Sequence, residues 1–172
     1  MRAAGRLQAL NRRTVNFGAF AICAGLMAYA LYLQHGIGLE PCPLCVFQRL
    51  AVVGLGAVFL FAALHNPGPT GARVYGLFVA LMALFGIGMA ARHVWLQHLP
   101  AEDVPACGPG LEYMLEELPL AQVLTKVFSG SGECADVDWV FLGLSMPMWV
   151  LIWFVILGVA GIVNNLRAEP QV

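Results

Sequence analysis

The chain is predicted to be an all-α integral membrane protein: a four-transmembrane-helix bundle with short amphipathic helices in its second outer loop. Three observations lead there. Apolar residues make up 60% of the 172 and charged ones 11%, and the mean hydropathy is +0.78, outside the usual range of soluble domains. Uncharged runs cover Thr14 to Leu39, Leu50 to Ala72, Val74 to Ala91 and Trp139 to Leu166, each long enough to cross about 30 Å of hydrocarbon as a helix. Basic residues, finally, gather on one side of that layout, as the positive-inside bias requires.

Residues 1–13 carry Arg2, Arg6, Arg12 and Arg13 and no acid. A basic start before an apolar run is also the form of a secretory signal, and Ala28-Tyr29-Ala30 resembles a cleavage site. Here the run is longer than a signal core and continues through Leu31, Tyr32 and Leu33, so it reads as a retained span. The expected spans are about 14–34, 46–64, 73–92 and 143–164, in one domain covering 1–172. With the N-terminus cytoplasmic, Arg73 and Arg167 join the four N-terminal arginines inside, against Arg49, Arg92 and Lys126 outside. Both termini are then cytoplasmic, and the loops at about 35–45 and 93–142 face outward.

The first outer loop is short and punctuated by Gly36, Gly38 and Pro41. Pro67-Gly68-Pro69 makes the inner turn. The second outer loop holds eight acids against Lys126 alone between His93 and Asp138, a formal charge of −7. Within it Leu111, Met114, Leu115 and Leu118 fall at helical spacing, as do Leu120, Val123, Leu124 and Val127, with Pro119 between. Such helices lie either on the membrane surface or on the protein's own outer face. The last span is expected to run from Trp139, with Pro147 as a kink near its outer end. Trp139, Trp149 and Trp153 suit interfacial or packing roles, and glycines at 54, 56, 86, 88, 158 and 161 permit close helix approach.

Five cysteines remain. Cys23 lies mid-span in apolar company and reads as a small buried hydrophobe. Cys42 and Cys45 enclose Pro43-Leu44, with Arg49 about one helical turn beyond Cys45. A fixed cation there favours thiolate over thiol. Cys42 with Cys45 is the natural local pair, leaving Cys107 with Cys134. As a staple the longer pair would stabilise by roughly 3 to 4 kcal/mol in the chain-entropy model, whereas the small ring gains little from closure. A four-cysteine metal site lacks close spacing in its second half, and no metal is expected. A redox relay accounts for more: two disulfides on one face of a membrane pass electrons by thiolate attack. The glycine-rich surroundings of Cys107 and Cys134 suit movement between partners.

Cys42-Pro43-Leu44-Cys45-Val46-Phe47-Gln48-Arg49, then His93-Val94-Trp95-Leu96-Gln97, the Cys107 and Cys134 pair, and Phe141-Leu142-Gly143-Leu144-Ser145-Met146-Pro147 together resemble the bacterial disulfide bond formation protein B family, DsbB. The resemblance covers nearly the whole chain in motif order. It implies that Cys107 is attacked by a reduced periplasmic thioredoxin-like oxidase, DsbA, with Cys134 as partner. Cys42/Cys45 then reoxidise the loop pair and reduce a membrane quinone, ubiquinone or menaquinone, with Cys45 facing the ring. Arg49 matches the family arginine of the quinone site, and His93 the histidine that assists there. Gln48 stands where some members carry glutamate, which leaves Arg49 without that counter-ion.

Independently, an arginine at the start of a span is costly and marks a functional candidate, with snorkelling as the plain alternative. Arg49 can stabilise a thiolate and offset charge on a reduced quinone oxygen. His93 can relay a proton or simply hydrogen-bond at the interface. The expected activity is that of a quinone-dependent thiol:disulfide oxidoreductase of the bacterial inner membrane, with DsbA, quinone and the bilayer as partners and no nucleic acid. A paralogue serving a dedicated oxidase, or a non-enzymatic stapled scaffold, are the alternatives.

Overall fold

The structure, a computed structural model, describes residues 11–100, 102–106 and 111–167. Arg2, Arg6 and Cys107 lie outside the described residues. Four long helices make the bundle: α1 (Arg12–Ile37), α2 (Pro43–His65), α3 (Pro69–Leu96) and, closing the chain, α6 (Met146–Leu166). Between α3 and α6 come α4 (Leu111–Glu117), α5 (Leu120–Ser129), a 3-10 turn at Gly132–Cys134, and the strands β1 (Val140–Phe141) and β2 (Leu144–Ser145).

Each long helix is apolar and long enough to cross a membrane; the 26 residues of α1 span about 39 Å. Their sides are apolar yet exposed: Phe17, Phe61, Leu77, Leu84 and Val159 all face outward. In water such a belt would be a large exposed patch, whereas in a bilayer it is the surface that meets acyl chains. Inside, Cys23, Ala51, Leu55, Phe59, Val79, Phe154 and Leu157 form the mid-bundle core. Cys23 is only 2% exposed, as a small hydrophobe should be.

Successive helices are antiparallel neighbours, and α6 closes the bundle chiefly against α3. Glycine makes that seam tight: a Cβ on Gly86 would stand 2.3 Å from the Phe154 ring, and one on Gly158 would stand 2.8 Å from Ala83. At the end opposite the cysteines, asparagines join α1 to α6. Asn164 and Asn165 both donate to Asn16 Oδ1, at 3.2 and 3.1 Å, and Asn16 donates back to Asn165 at 3.2 Å. Arg12 donates to the Arg167 carbonyl at 2.9 Å.

The helix ends differ from the expected spans where local chemistry sets them. α2 begins at Pro43, not near 46, because Cys42 caps it: the Cys42 sulfur accepts the Cys45 N–H at 3.4 Å, and Pro43 follows in the first turn. α3 extends to Leu96, past the expected end near 92. The reading of Trp139 to Ser145 as helix is overturned. There β1 and β2 pair around Leu142 and Gly143, both at positive φ, a turn whose twist suits a hairpin. Pro147 lies in the first turn of α6, where its missing N–H is harmless, and so starts the helix and introduces no kink.

The amphipathic helices settle on the protein. Val123 and Val127 of α5 are buried with Leu44, Met89, Leu96, Met114 and Cys134. Arg92 donates to the carbonyls of Phe128 and Ser129 at 3.2 and 2.8 Å, satisfying the last turn of α5. Gly130 then turns the chain at φ +84°, with its α-carbon so close to Leu96 that a Cβ would lie 2.3 Å from that side chain. Only glycine meets both demands.

Candidate functional site

The cysteine end is built from the first turn of α2, the last turns of α3 and α1, and the 3-10 turn that follows Gly130. Because Cys42 caps α2 and Cys45 lies inside its first turn, the two sulfurs converge to 3.2 Å. Helical spacing then places Gln48 and Arg49 one turn further along. Their side chains go different ways.

Gln48 points inward. It is 4% exposed, and its Nε2 lies 3.0 Å from Nδ1 of His93, itself 3% exposed. The same imidazole faces both sulfurs, with Nε2 3.9 Å from Cys42 Sγ and Nδ1 3.9 Å from Cys45 Sγ. Arg49 turns to α1, where it donates to Gln34 Oε1 and, at 3.3 Å, to the Ala30 carbonyl. An acceptor for Arg49 thus exists even though position 48 carries no charge, and the buried amide serves the histidine.

Cys134 comes from the far side of the loop and is fully buried. Its sulfur lies 3.6 Å from Ser131 Oγ, and it packs with Leu44 in the cluster that Cys42 borders. The neighbouring Cys42 and burial hold its pKa well above the ordinary thiol value. Cys134 is therefore held toward the thiol form beside Cys42. Cys107, expected as its partner, is outside the described residues.

Two cavities meet at Cys45. One is apolar and narrow, about 60 Å³, and lies between α1, α2 and α6; its walls include Cys23, Met27, Val52, Val150, Trp153 and Leu157. The other is a wide cleft of about 790 Å³, bordered by Cys42, His93, Gln97 and the carboxylates of Glu40, Glu133, Asp136 and Asp138. Cys45, Arg49 and Met146 line both. One sulfur thus stands between a polar antechamber and an apolar slot, with a guanidinium beside it.

The hairpin closes one side. Ser145 Oγ donates to Gln97 at 2.7 Å and Trp149 Nε1 to the Phe141 carbonyl at 3.0 Å. Tyr29, Trp139, Phe141 and Trp149 form a chain of ring contacts around it. The structure therefore brings together Cys42, Cys45, Cys134, Arg49 and His93. Sequence reasoning missed Gln34 and took position 48 for a missing counter-ion. The available signal was that each is a polar side chain within an apolar helix, where an uncharged amide needs a partner.

Comparison with known proteins adds kinship. Residues 12–164 match the family described as Disulfide bond formation protein DsbB. The chain is 55% identical over 150 residues to the disulfide bond formation protein B of Nitrosococcus oceani, covering 87% of this chain and 89% of that one. It is 56% identical over 146 residues to that of Hahella chejuensis, covering 85% and 88%. To that of Methylococcus capsulatus it is 52% identical over 159 residues, covering 92% and 97%.

Proposed function

Since the chain belongs to the DsbB family and is a disulfide bond formation protein, we propose that it is a quinone-dependent thiol:disulfide oxidoreductase that reoxidises a periplasmic thioredoxin-like oxidase, DsbA. The observation that carries this reading is the position of Cys45 between the polar cleft and the apolar slot, with Arg49 lining both. In this arrangement electrons enter from the cleft and leave through the slot.

The nearness of Cys134 to Cys42 supports the following order of steps. Reduced DsbA attacks Cys107 of a Cys107–Cys134 disulfide, forming a mixed disulfide and releasing Cys134. Cys134, close to Cys42, attacks that sulfur of a Cys42–Cys45 disulfide and releases Cys45 toward the slot. The second thiol of DsbA resolves the mixed disulfide and frees Cys107. Cys107 attacks Cys134, restores the loop disulfide and releases Cys42. The pair Cys42/Cys45 then gives up two electrons and two protons and closes again.

A quinone supplies the matching two-electron, two-proton acceptor. The slot suits its ring: a largely apolar wall that includes Cys23, with the Cys45 thiol, the Gln48 amide and one guanidinium. Flexible Met27 and Met146 give way to widen it. Arg49 offsets negative charge on the ring oxygen, and Gln34 and the Ala30 carbonyl hold the guanidinium in place. His93, near both sulfurs, holds or hands on a proton. The protein acts as one four-span domain of the bacterial inner membrane, with both termini cytoplasmic and the cysteine loops periplasmic.

The test is anaerobic stopped-flow absorbance of the detergent-solubilised protein mixed with reduced DsbA and either ubiquinone or menaquinone. Quinone consumption that disappears in both Cys45→Ser and Cys107→Ser is the expected result. Folded protein that consumes neither quinone, or a Cys45→Ser variant that still does, overturns the reading.

A further inference from the structure

When Cys42 and Cys45 are thiols, these relay sulfurs form with His93 a donor set suited to a task outside the relay. Cys42 Sγ, Cys45 Sγ and a ring nitrogen of His93 lie within 4.8 Å of one another. The sulfurs are 3.2 Å apart, and Cys42 Sγ is 3.9 Å from His93 Nε2. A tetrahedral zinc ion, with Zn–S of about 2.3 Å and Zn–N of about 2.0 Å, keeps its donors about 3.5 to 3.8 Å apart. The Sγ–Sγ and Cys42 Sγ–Nε2 distances are each within about half an ångström of that geometry; Cys45 Sγ has Nδ1 at 3.9 Å, and a turn of the imidazole is needed to bring Nε2 to both sulfurs.

The surroundings add two features of a metal centre. A metal-bound histidine normally anchors its second ring nitrogen on a hydrogen-bond acceptor. With Nε2 toward Cys42, the remaining Nδ1 meets the buried Gln48 amide at 3.0 Å, whose oxygen accepts from Nδ1–H once the amide is turned about its last bond. The open side faces the cleft bordered by Glu40, Glu133, Asp136 and Asp138, a field that concentrates cations. A fourth position is left there for water.

We propose that the reduced Cys42/Cys45 pair and His93 bind one thiophilic d10 cation of the Zn²⁺ type through two thiolate sulfurs and Nε2. Binding displaces two thiol protons to solvent and transfers no electrons. Occupancy holds both sulfurs as metal thiolates, so the pair neither closes nor exchanges, and the ion blocks turnover from the cleft side. This inference needs only the reduced pair and His93, and stands whichever acceptor the slot receives.

Cobalt reports the geometry directly. Protein in detergent, reduced and kept anaerobic, is titrated with Co²⁺ and then with Zn²⁺, first as wild type and then in a Cys107→Ser/Cys134→Ser background that removes the loop thiols. The expected result is one Co²⁺ per chain, with tetrahedral d–d bands and sulfur-to-cobalt charge transfer, displaced by one Zn²⁺ and absent from oxidised protein. His93→Ala should weaken binding at least about tenfold, and Gln48→Leu, which keeps all three ligands, by about ten- to a hundredfold. Octahedral spectra, binding that survives Cys42→Ser unchanged, or equal affinity in wild type, His93→Ala and Gln48→Leu would each overturn the assignment. Zn²⁺ should also arrest reoxidation of the reduced pair by a soluble oxidant such as diamide, a readout independent of quinone.

Discussion

Replacing Gln48 with leucine tests the inner half of the site. Both partners are almost fully buried, at 4% and 3% exposure, and the contact is 3.0 Å, so the change keeps volume but leaves a histidine nitrogen without its partner. Stranding such a group costs about 1 to 3 kcal/mol. The pairwise part is smaller, because hydrogen bonds between membrane helices average about 0.6 kcal/mol and reach about 1.7. The assay is equilibrium unfolding by SDS in mixed micelles, applied to Gln48→Leu, His93→Ala and the double variant. Coupling in the 0.6 to 1.7 kcal/mol range is expected. Gln48→Glu, whose carboxylate accepts from Nδ1–H, should retain wild-type stability in the same assay. Effects of the two single changes that add within about 0.3 kcal/mol would show that the bond contributes nothing, and the account of the buried amide would fail.

Other expectations concern the slot, the loop and the relay. Arg49→Met should raise the quinone KM and lower kcat while sparing the exchange with DsbA, and Gln34→Leu should do the same more mildly; equal losses in both half-reactions would make the arginine merely structural. Because the Cys134 pKa is raised by the neighbouring Cys42 and by burial, less of it is thiolate at any given pH. Its alkylation in the reduced protein should therefore lag a free thiol at pH 8 to 9 and climb only in stronger base. Cys42→Ala should move that profile toward the ordinary one, and an ordinary profile in the unaltered protein would refute the raised pKa. Gly130→Ala adds a Cβ at φ +84° that meets Leu96 and should cost about 1 to 3 kcal/mol. Slower exchange with DsbA at unchanged quinone KM is its expected kinetic signature, and an unchanged exchange rate would contradict the role given to this turn.

Long apolar runs made the four helices legible, because hydropathy is a property of many residues at once. The α4 and α5 periodicity was legible for the same reason, and the buried valines of α5 then decided which surface it covers. The hairpin at 140–145 was not: two-residue strands leave no period, and an aromatic stretch before an apolar run reads as its continuation. Of the site, Cys42, Cys45 and Arg49 stood out because each is chemically unusual beside a span, whereas His93 was singled out by the family resemblance. Gln34 and Gln48 did not, since an amide reveals its purpose only through the group it faces, and those groups belong to other helices.

The asparagine cluster at the far end has a mechanical meaning. α1 and α6 are latched there by side-chain hydrogen bonds, while further along the same two helices flank the apolar slot. A pair of rods fastened at one tip parts most readily at the other. A long-tailed ligand threaded sideways from the bilayer would therefore spread the ends joined through the ring contacts of Tyr29, Trp139, Phe141 and Trp149 and leave the latch shut. Loosening Asn16 should then alter how fast such a ligand enters and leaves more than how firmly it is finally held.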